Sequence, residues 1–320
     1  MGLDENHKVR FSRDVHSQAQ VISQWQQQYA QISRGVFKGI GIDLSLDQAD
    51  FYFEQMNKAT YQKGCIPDNS IGLVVALKCD EQMATCGRSV SQGDVVLISG
   101  RCGYEFKSAE NMKALMISIR KGSELEKHLT NDLLLNLESS PRVLATICEP
   151  NLKRLEDSFY LSSDANTHFA STSVNLIDVF TDSLYEWRKQ TNSTKPHIES
   201  YIVNHYWEII KRAYSIIISQ PYEIRSISQL IDELHISRGT LQNATHQTVG
   251  MKAAEFMRAI RLNQVLKNMS SGESVTTAAT NWGFLHLSHF SREYKKLFGE
   301  LPSQTLKAKL ENLYTQPKHR

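Results

Sequence analysis

The chain has 320 residues, 41% hydrophobic and 22% charged, with a formal net charge of +2; this suits about two domains of roughly 150 residues each and excludes long-range disorder. The longest apolar runs, such as 71–77 and 216–218, fall far short of the ~20 residues of a membrane span, and the N-terminus MGLDENHKVRFSRDVHSQAQ lacks the apolar stretch of a secretory signal. The charge is uneven: residues 1–200 carry −4, whereas residues 201–320 carry 15 Lys and Arg against 9 Asp and Glu, so a polyanionic partner is expected for the back of the chain only.

From about 37 to 120 the sequence reads as strands. FKGIGIDLSL (37–46), DFYFEQM (50–56), SIGLVVAL (70–77), DVVLISG (94–100) and MKALMISI (112–119) are rich in β-branched and aromatic residues and are separated by turn residues. Short strands at this spacing predict an antiparallel barrel or sandwich. Next, 123–138 places Leu125, Leu129, Leu133 and Leu137 four apart, and 175–187 repeats the habit with Leu176, Val179, Phe180, Leu184 and Trp187. These stripes predict helices whose apolar face meets either the core or a partner helix.

The segment KQTNSTKPHIE (189–199) is polar and aperiodic, and residues 189–200 are the expected linker. The predicted organisation is therefore α+β: a β-rich, cupin-like barrel with a helical appendage over 1–188, then an all-helical domain over 201–320.

Two segments of the helical part each read helix, short turn, helix. In 227–247, Leu230, Ile231 and Leu234 share a face, His235 and Ile236 make the turn, and Ser237 suits the N-cap of the next helix. In 275–299, Ala278 and Ala279 allow close helix crossing, Gly283 ends the first helix, and Phe290, Tyr294 and Leu297 give the second a buried stripe. Residues 251–269 between them make a helix of about 27 Å. A rigid helix of that length can hold two such units near 34 Å apart, one turn of duplex DNA, so that both second helices enter successive major grooves. The predicted outward residues are Arg238, Gly239, Gln242, Asn243 and His246 on the first, and Ser288, His289, Arg292 and Lys295 or Lys296 on the second. Arg pairs with guanine, and Asn or Gln with adenine.

These residues resemble the DNA-binding domain of AraC/XylS-type transcription regulators. The likeness covers about the last hundred residues. It is densest in Gly283-Phe284, Phe290-Ser291-Arg292, Tyr294-Lys295, Phe298-Gly299 and Pro302-Ser303, and continues through Ser237, Leu241, Gly250 and Arg261-Leu262. By position, the resemblance implies base-facing roles for Gly239, Gln242 and Asn243, and for Leu287, Ser288, His289 and Arg292. Two departures stand out: Thr245 replaces an aromatic usual in the first motif's core, and Leu287 is apolar where the family is often polar, which suits a thymine methyl or packing. Residues 21–41 and 234–246 resemble the subgroup that includes the ethanolamine-utilisation regulator. That likeness implies a small-molecule sensor ahead of the DNA domain, a small amine as one effector class, promoter DNA and RNA polymerase as partners, and activation as the commoner outcome.

For the sensor, Phe37, Phe51, Phe53, Tyr61, Tyr104 and Phe106 are expected to line an apolar cavity or pack the core, with Arg101 or Glu105 as polar anchors. The front half is also expected to pair chains into a homodimer.

An enzyme is the competing class. No His lies between His16 and His128, so residues 37–120 cannot supply a histidine metal cluster, and no GxSxG, P-loop or HExxH occurs. No catalytic residue, metal or cofactor is expected, and the protein is expected in the cytoplasm. An AraC-type domain fused to DNA-alkylation repair would use front-half cysteines on zinc. Cys65, Cys79, Cys86, Cys102 and Cys148 form no CxxC and are odd in number, which points to reduced thiols in or near a core.

Overall fold

The computed structural model of the chain describes residues 7–22, 24–99, 103–133, 135, 142–162, 169–190 and 201–315. Its strands are β1 (His7–Ser12), β2 (Gln26–Gln31), β3 (Gly39–Ser45), β4 (Ala49–Met56), β5 (Thr60–Cys65), β6 (Ser70–Lys78), β7 (Met83–Thr85), β8 (Arg88–Val90), β9 (Asp94–Ser99), β10 (Tyr104–Lys107), β11 (Met112–Arg120) and β12 (Arg142–Thr146). The helices of the front half are α1 (Val15–Gln18), α2 (Glu124–Lys127), α3 (Glu149–Ser162) and α4 (Phe169–Gln190). Those of the back half are α5 (Tyr201–Ser219), α6 (Ile227–Leu234), α7 (Arg238–Val249), α8 (Ala253–Ser270), α9 (Val275–Asn281), α10 (Leu287–Phe298) and α11 (Pro302–Thr315). No helix among the described residues is long and apolar enough to cross a membrane. The chain divides into two compact units, 1–29 with 38–200 and 30–37 with 201–320.

The β-rich unit holds two sheets, ordered β1-β3-β4-β11-β6-β9-β12 and β2-β5-β10-β7-β8, rather than one closed barrel. Its core follows from strand alternation, which sends every second residue to the same face. Phe51 and Phe53 on β4 lie opposite Ile117 and Leu115 on β11, which in turn lie opposite Leu73 and Val75 on β6. All six are buried in one cluster. Phe53 also stacks on Phe159 of α3, with ring centroids 5.8 Å apart.

The stripe Leu176, Val179, Phe180 and Leu184 on α4 enters this same cluster, with Trp187 packed against it. Of the two faces open to it, the stripe takes the core. The expected helix over 123–138 is shorter: α2 covers four residues, and a single π-helical turn, His128–Asp132, ends it. Leu125, Leu129 and Leu133 are buried all the same, so burial rather than a long helix accounts for their spacing; Leu137 lies outside the described residues. Further on, β12 adds to the edge of the first sheet against β9, beyond the segment 37–120 that reads as strands. Cys65, Cys79 and Cys86 are half-buried and Cys148 is exposed, so these thiols sit at strand ends and turns rather than inside the core; Cys102 lies outside the described residues. The expected linker lies mostly outside them too, since 191–200 are not described.

The helical unit is built on α8, whose buried residues include Phe256, Ile260, Leu262, Val265 and Leu266. It also takes in residues 30–37, which no periodicity announced. Gln31, 1% exposed, and Asn263, fully buried on α8, bond reciprocally: the Gln31 N–H donates to Asn263 Oδ1 at 2.9 Å, and Asn263 Nδ2 donates to the Gln31 carbonyl at 2.9 Å. Gln31 Nε2 reaches the Leu297 carbonyl at 3.1 Å, and the Gly35 N–H donates to that same carbonyl at 2.8 Å. Gly299, which caps α10 with φ +79, is glycine for two reasons: the left-handed backbone, and Val36, whose atoms would lie 2.8 Å from an added Cβ.

Candidate nucleic-acid interface

Each reading unit is set by local signals. Ser226 and Gln229 form a capping box at the start of α6, and His235 closes that helix in the left-handed conformation, φ 54. Ser237 then caps α7, its hydroxyl accepting from the Thr240 N–H at 3.0 Å. In the second unit Ser274 caps α9 in the same way, and Gly283 follows its end with φ +81. Between the two units α8 runs 18 residues, about 27 Å.

The apolar faces of α7 and α10 turn inward. Leu241, Ala244 and Thr245 of α7 are buried, as are Phe290, Tyr294, Leu297 and Phe298 of α10. Thr245 donates its hydroxyl to the Gln242 carbonyl at 3.1 Å, so the buried group is satisfied. Phe284 and Trp282 are half-buried against the core of the second unit, Phe284 lying 5.2 Å from the Phe290 ring. Both pack beside the turn that Gly283 makes.

Opposite these faces, Arg238, Gly239, Asn243 and His246 are exposed on α7, and Leu287, Ser288, His289, Arg292, Lys295 and Lys296 on α10. Gln242 differs from its neighbours. It is half-buried, and its Oε1 accepts from the Ala253 N–H at the start of α8, at 3.3 Å. A two-pronged grip on adenine needs that oxygen, so Asn243 is the freer amide on α7. Arg238 reaches Ser228 Oγ at only 3.4 Å. Leu285, exposed just ahead of α10, was not singled out by sequence, because periodicity marks buried apolar residues and says nothing of exposed ones.

Gly239 has helical backbone, and an added Cβ would meet only Ser237 Oγ, at 3.7 Å. Gly239→Ala is therefore expected to stabilise the helical unit by roughly 1 kcal/mol, read as a higher thermal midpoint. An unchanged or lower midpoint contradicts this packing.

The residues predicted for an effector pocket are not gathered into one place. Phe51 and Phe53 belong to the core of the first sheet. Tyr104 lies on the second sheet, its ring 5.8 Å from that of Trp25, and Glu105, buried, follows it on the opposite face of β10. Arg101 lies outside the described residues.

What the β-rich unit does gather is a buried polar cluster that hydrophobic patterning could not reveal. Glu54 accepts from Gln18 Nε2 at 3.0 Å, and the Tyr29 hydroxyl lies 3.4 Å from its other oxygen. The hydroxyls of Tyr29 and Tyr104 both donate to Gln27 Oε1 at 2.6 Å. Burial raises the Glu54 carboxyl from its ordinary value to about 7, against the opposing hydrogen bonds from Gln18 and Tyr29. Burial, then the Glu54 charge, pushes Tyr29 and Tyr104 well above the usual phenol range. Gln18 Oε1, Trp25 Nε1 and Gln27 Nε2 are buried without a partner among the described residues.

A family model described as "Helix-turn-helix domain" matches residues 230–308. The "XylDLEGF operon transcriptional activator" of Pseudomonas putida is 33% identical over 86 residues, 26% of this chain and 27% of that protein. The "Probable thc operon regulatory protein" of Rhodococcus erythropolis is 27% identical over 103 residues, 31% of each. The chain thus matches about a quarter to a third of the length of these curated relatives. Among solved structures, ToxT from Vibrio cholerae aligns over 89% of this chain and 98% of its own, at 16% identity and a TM-score of 0.32. The relatives carry the names of operon regulators, and the alkylation-repair alternative draws no support from them. With its two capped helix pairs on either side of α8, the back of this chain carries a helix-turn-helix domain, similar in sequence to parts of these operon regulators.

Proposed function

We propose that the protein is a sequence-specific transcriptional regulator, and an activator, that reads two successive major grooves of promoter DNA through α7 and α10. The observation that carries this is the pair of helices themselves: each follows a tight turn, buries one face and exposes a polar, net basic face, and one rigid helix joins the two units. RNA polymerase is the proposed protein partner and the cytoplasm the proposed site of action. Pairing of two chains through the β-rich unit is supported by exposed Tyr160 and Tyr185 on α3 and α4.

The test is selection of bound duplexes from a random pool by the full-length chain, followed by affinity measurements on the selected site and on random DNA. Arg292→Ala is expected to cost the selected site about 1–3 kcal/mol more than random DNA. A log–log salt slope steeper than about −2 is expected from several phosphate contacts at ~0.9 each. Equal loss on both DNAs would make Arg292 a phosphate contact only, and a shallow slope would contradict a groove binder anchored on phosphates.

The proposed effector class is a small amine, in keeping with the resemblance to the ethanolamine-utilisation regulator subgroup. Its support is the cluster around Glu54, where a buried carboxyl stands with Tyr29 and Tyr104 and suits a cation through its charge. A cation binds the deprotonated carboxylate, so affinity is expected to rise with pH through about 7. A thermal-shift screen beginning with ethanolamine tests this; an amine series that never shifts the β-rich unit at any pH contradicts it.

A further inference from the structure

Leu285 and Leu287 are 67% and 40% exposed, although aromatic residues on either side, Phe284 and Phe290, join the core. Burial of a leucine side chain is favourable, yet the fold leaves both at the leading end of α10, in a row with exposed His286, Ser288 and His289. Arg292, Lys295 and Lys296 are exposed on the same helix, so this apolar tip belongs to a positively charged surface suited to a polyanion. In the major groove of duplex DNA, the apolar feature a base pair presents is the C5 methyl group of thymine.

We infer that Leu285 and Leu287 are specificity-determining residues that select thymine in the half-site under α10, by packing on its methyl group rather than by hydrogen bonding. The inference rests on the DNA-reading function proposed above. It divides the labour on α10: the leading turn reads methyl groups, and Arg292, about one turn further along, reads a hydrogen-bonding edge. Leu287, 40% exposed, is not taken up wholly by packing within the unit and keeps apolar surface open to a base.

The test uses the full-length chain and its selected duplex. Thymines are expected to recur in the selected α10 half-site, and each is replaced in turn by deoxyuridine, which removes only the methyl group. At least one replacement is expected to weaken binding about threefold to fourfold, the effect of one buried methyl at about 0.8 kcal/mol. In Leu285→Ala or Leu287→Ala, whose side chains are exposed and whose folding is checked by the thermal midpoint, the same replacement is expected to have no effect. Wild-type protein that binds uracil and thymine sites equally overturns the inference while leaving DNA recognition intact, as does a variant that keeps the full uracil penalty. Failure to select any site overturns the DNA-reading function and this inference together. Self-association that weakens in the leucine variants, with uracil tolerated, assigns the tip to a second copy of the chain and overturns the inference as well.

Discussion

Asn263→Leu is expected to destabilise the helical unit by about 3 kcal/mol. The substitution keeps the side chain's branched shape but removes both of its bonds to the Gln31 backbone. The Gln31 N–H and carbonyl then stay buried without those bonds, and each buried unsatisfied group costs about 1–3 kcal/mol. A unit of this size loses about 3–5 °C of thermal midpoint per kcal/mol, so a fall of roughly 10 °C is expected in the full-length chain. The segment 201–320 expressed alone lacks residues 30–37 and is expected to show a similar deficit while remaining folded. An Asn263→Leu chain as stable as wild type would contradict this account of residues 30–37.

Glu54→Gln is expected to be stabilising by about 1 kcal/mol at pH 5 and by roughly 3 kcal/mol at pH 8. Glu54 has a folded-state value of about 7 against 4.5 for the ordinary group. Between those values the folded protein holds a proton that the unfolded chain has released, so stability falls as pH rises from about 4.5 to 7 and is flat above. Each unit of difference is worth about 1.4 kcal/mol. Glutamine mimics the protonated acid, and Gln18 Oε1, which has no partner among the described residues, is available to accept from it. Denaturant unfolding of both proteins at pH 5 and pH 8 checks this, and identical pH slopes would contradict a buried, proton-holding Glu54.

The helix pairs were legible in the sequence because their determinants are local. Ser237 and Gly283 mark helix ends within a few residues of the turns they serve, and the buried stripes of α7 and α10 recur at helical spacing. The central strands β4, β6 and β11 were legible for the same reason, being long and rich in β-branched, aromatic and other apolar residues. What was missed depends on distant partners. Gln31 and Asn263 are 232 residues apart, and neither breaks the local pattern around it. Strands β5 and β10 are short and carry Gln62, Lys63, Glu105 and Lys107, so their strand character comes from pairing with each other rather than from propensity. The polar cluster around Glu54 draws on α1, β2, β4 and β10, and a lone Glu inside an apolar strand gives no sign of what surrounds it.

Hydroxyl-radical footprinting of the full-length chain on its selected duplex tests the central claim most directly. Two helix-turn-helix units joined by α8 are predicted to protect two windows about 10 base pairs apart, on one face of the duplex. A single protected window, or two on opposite faces, would contradict a chain that reads successive major grooves with α7 and α10.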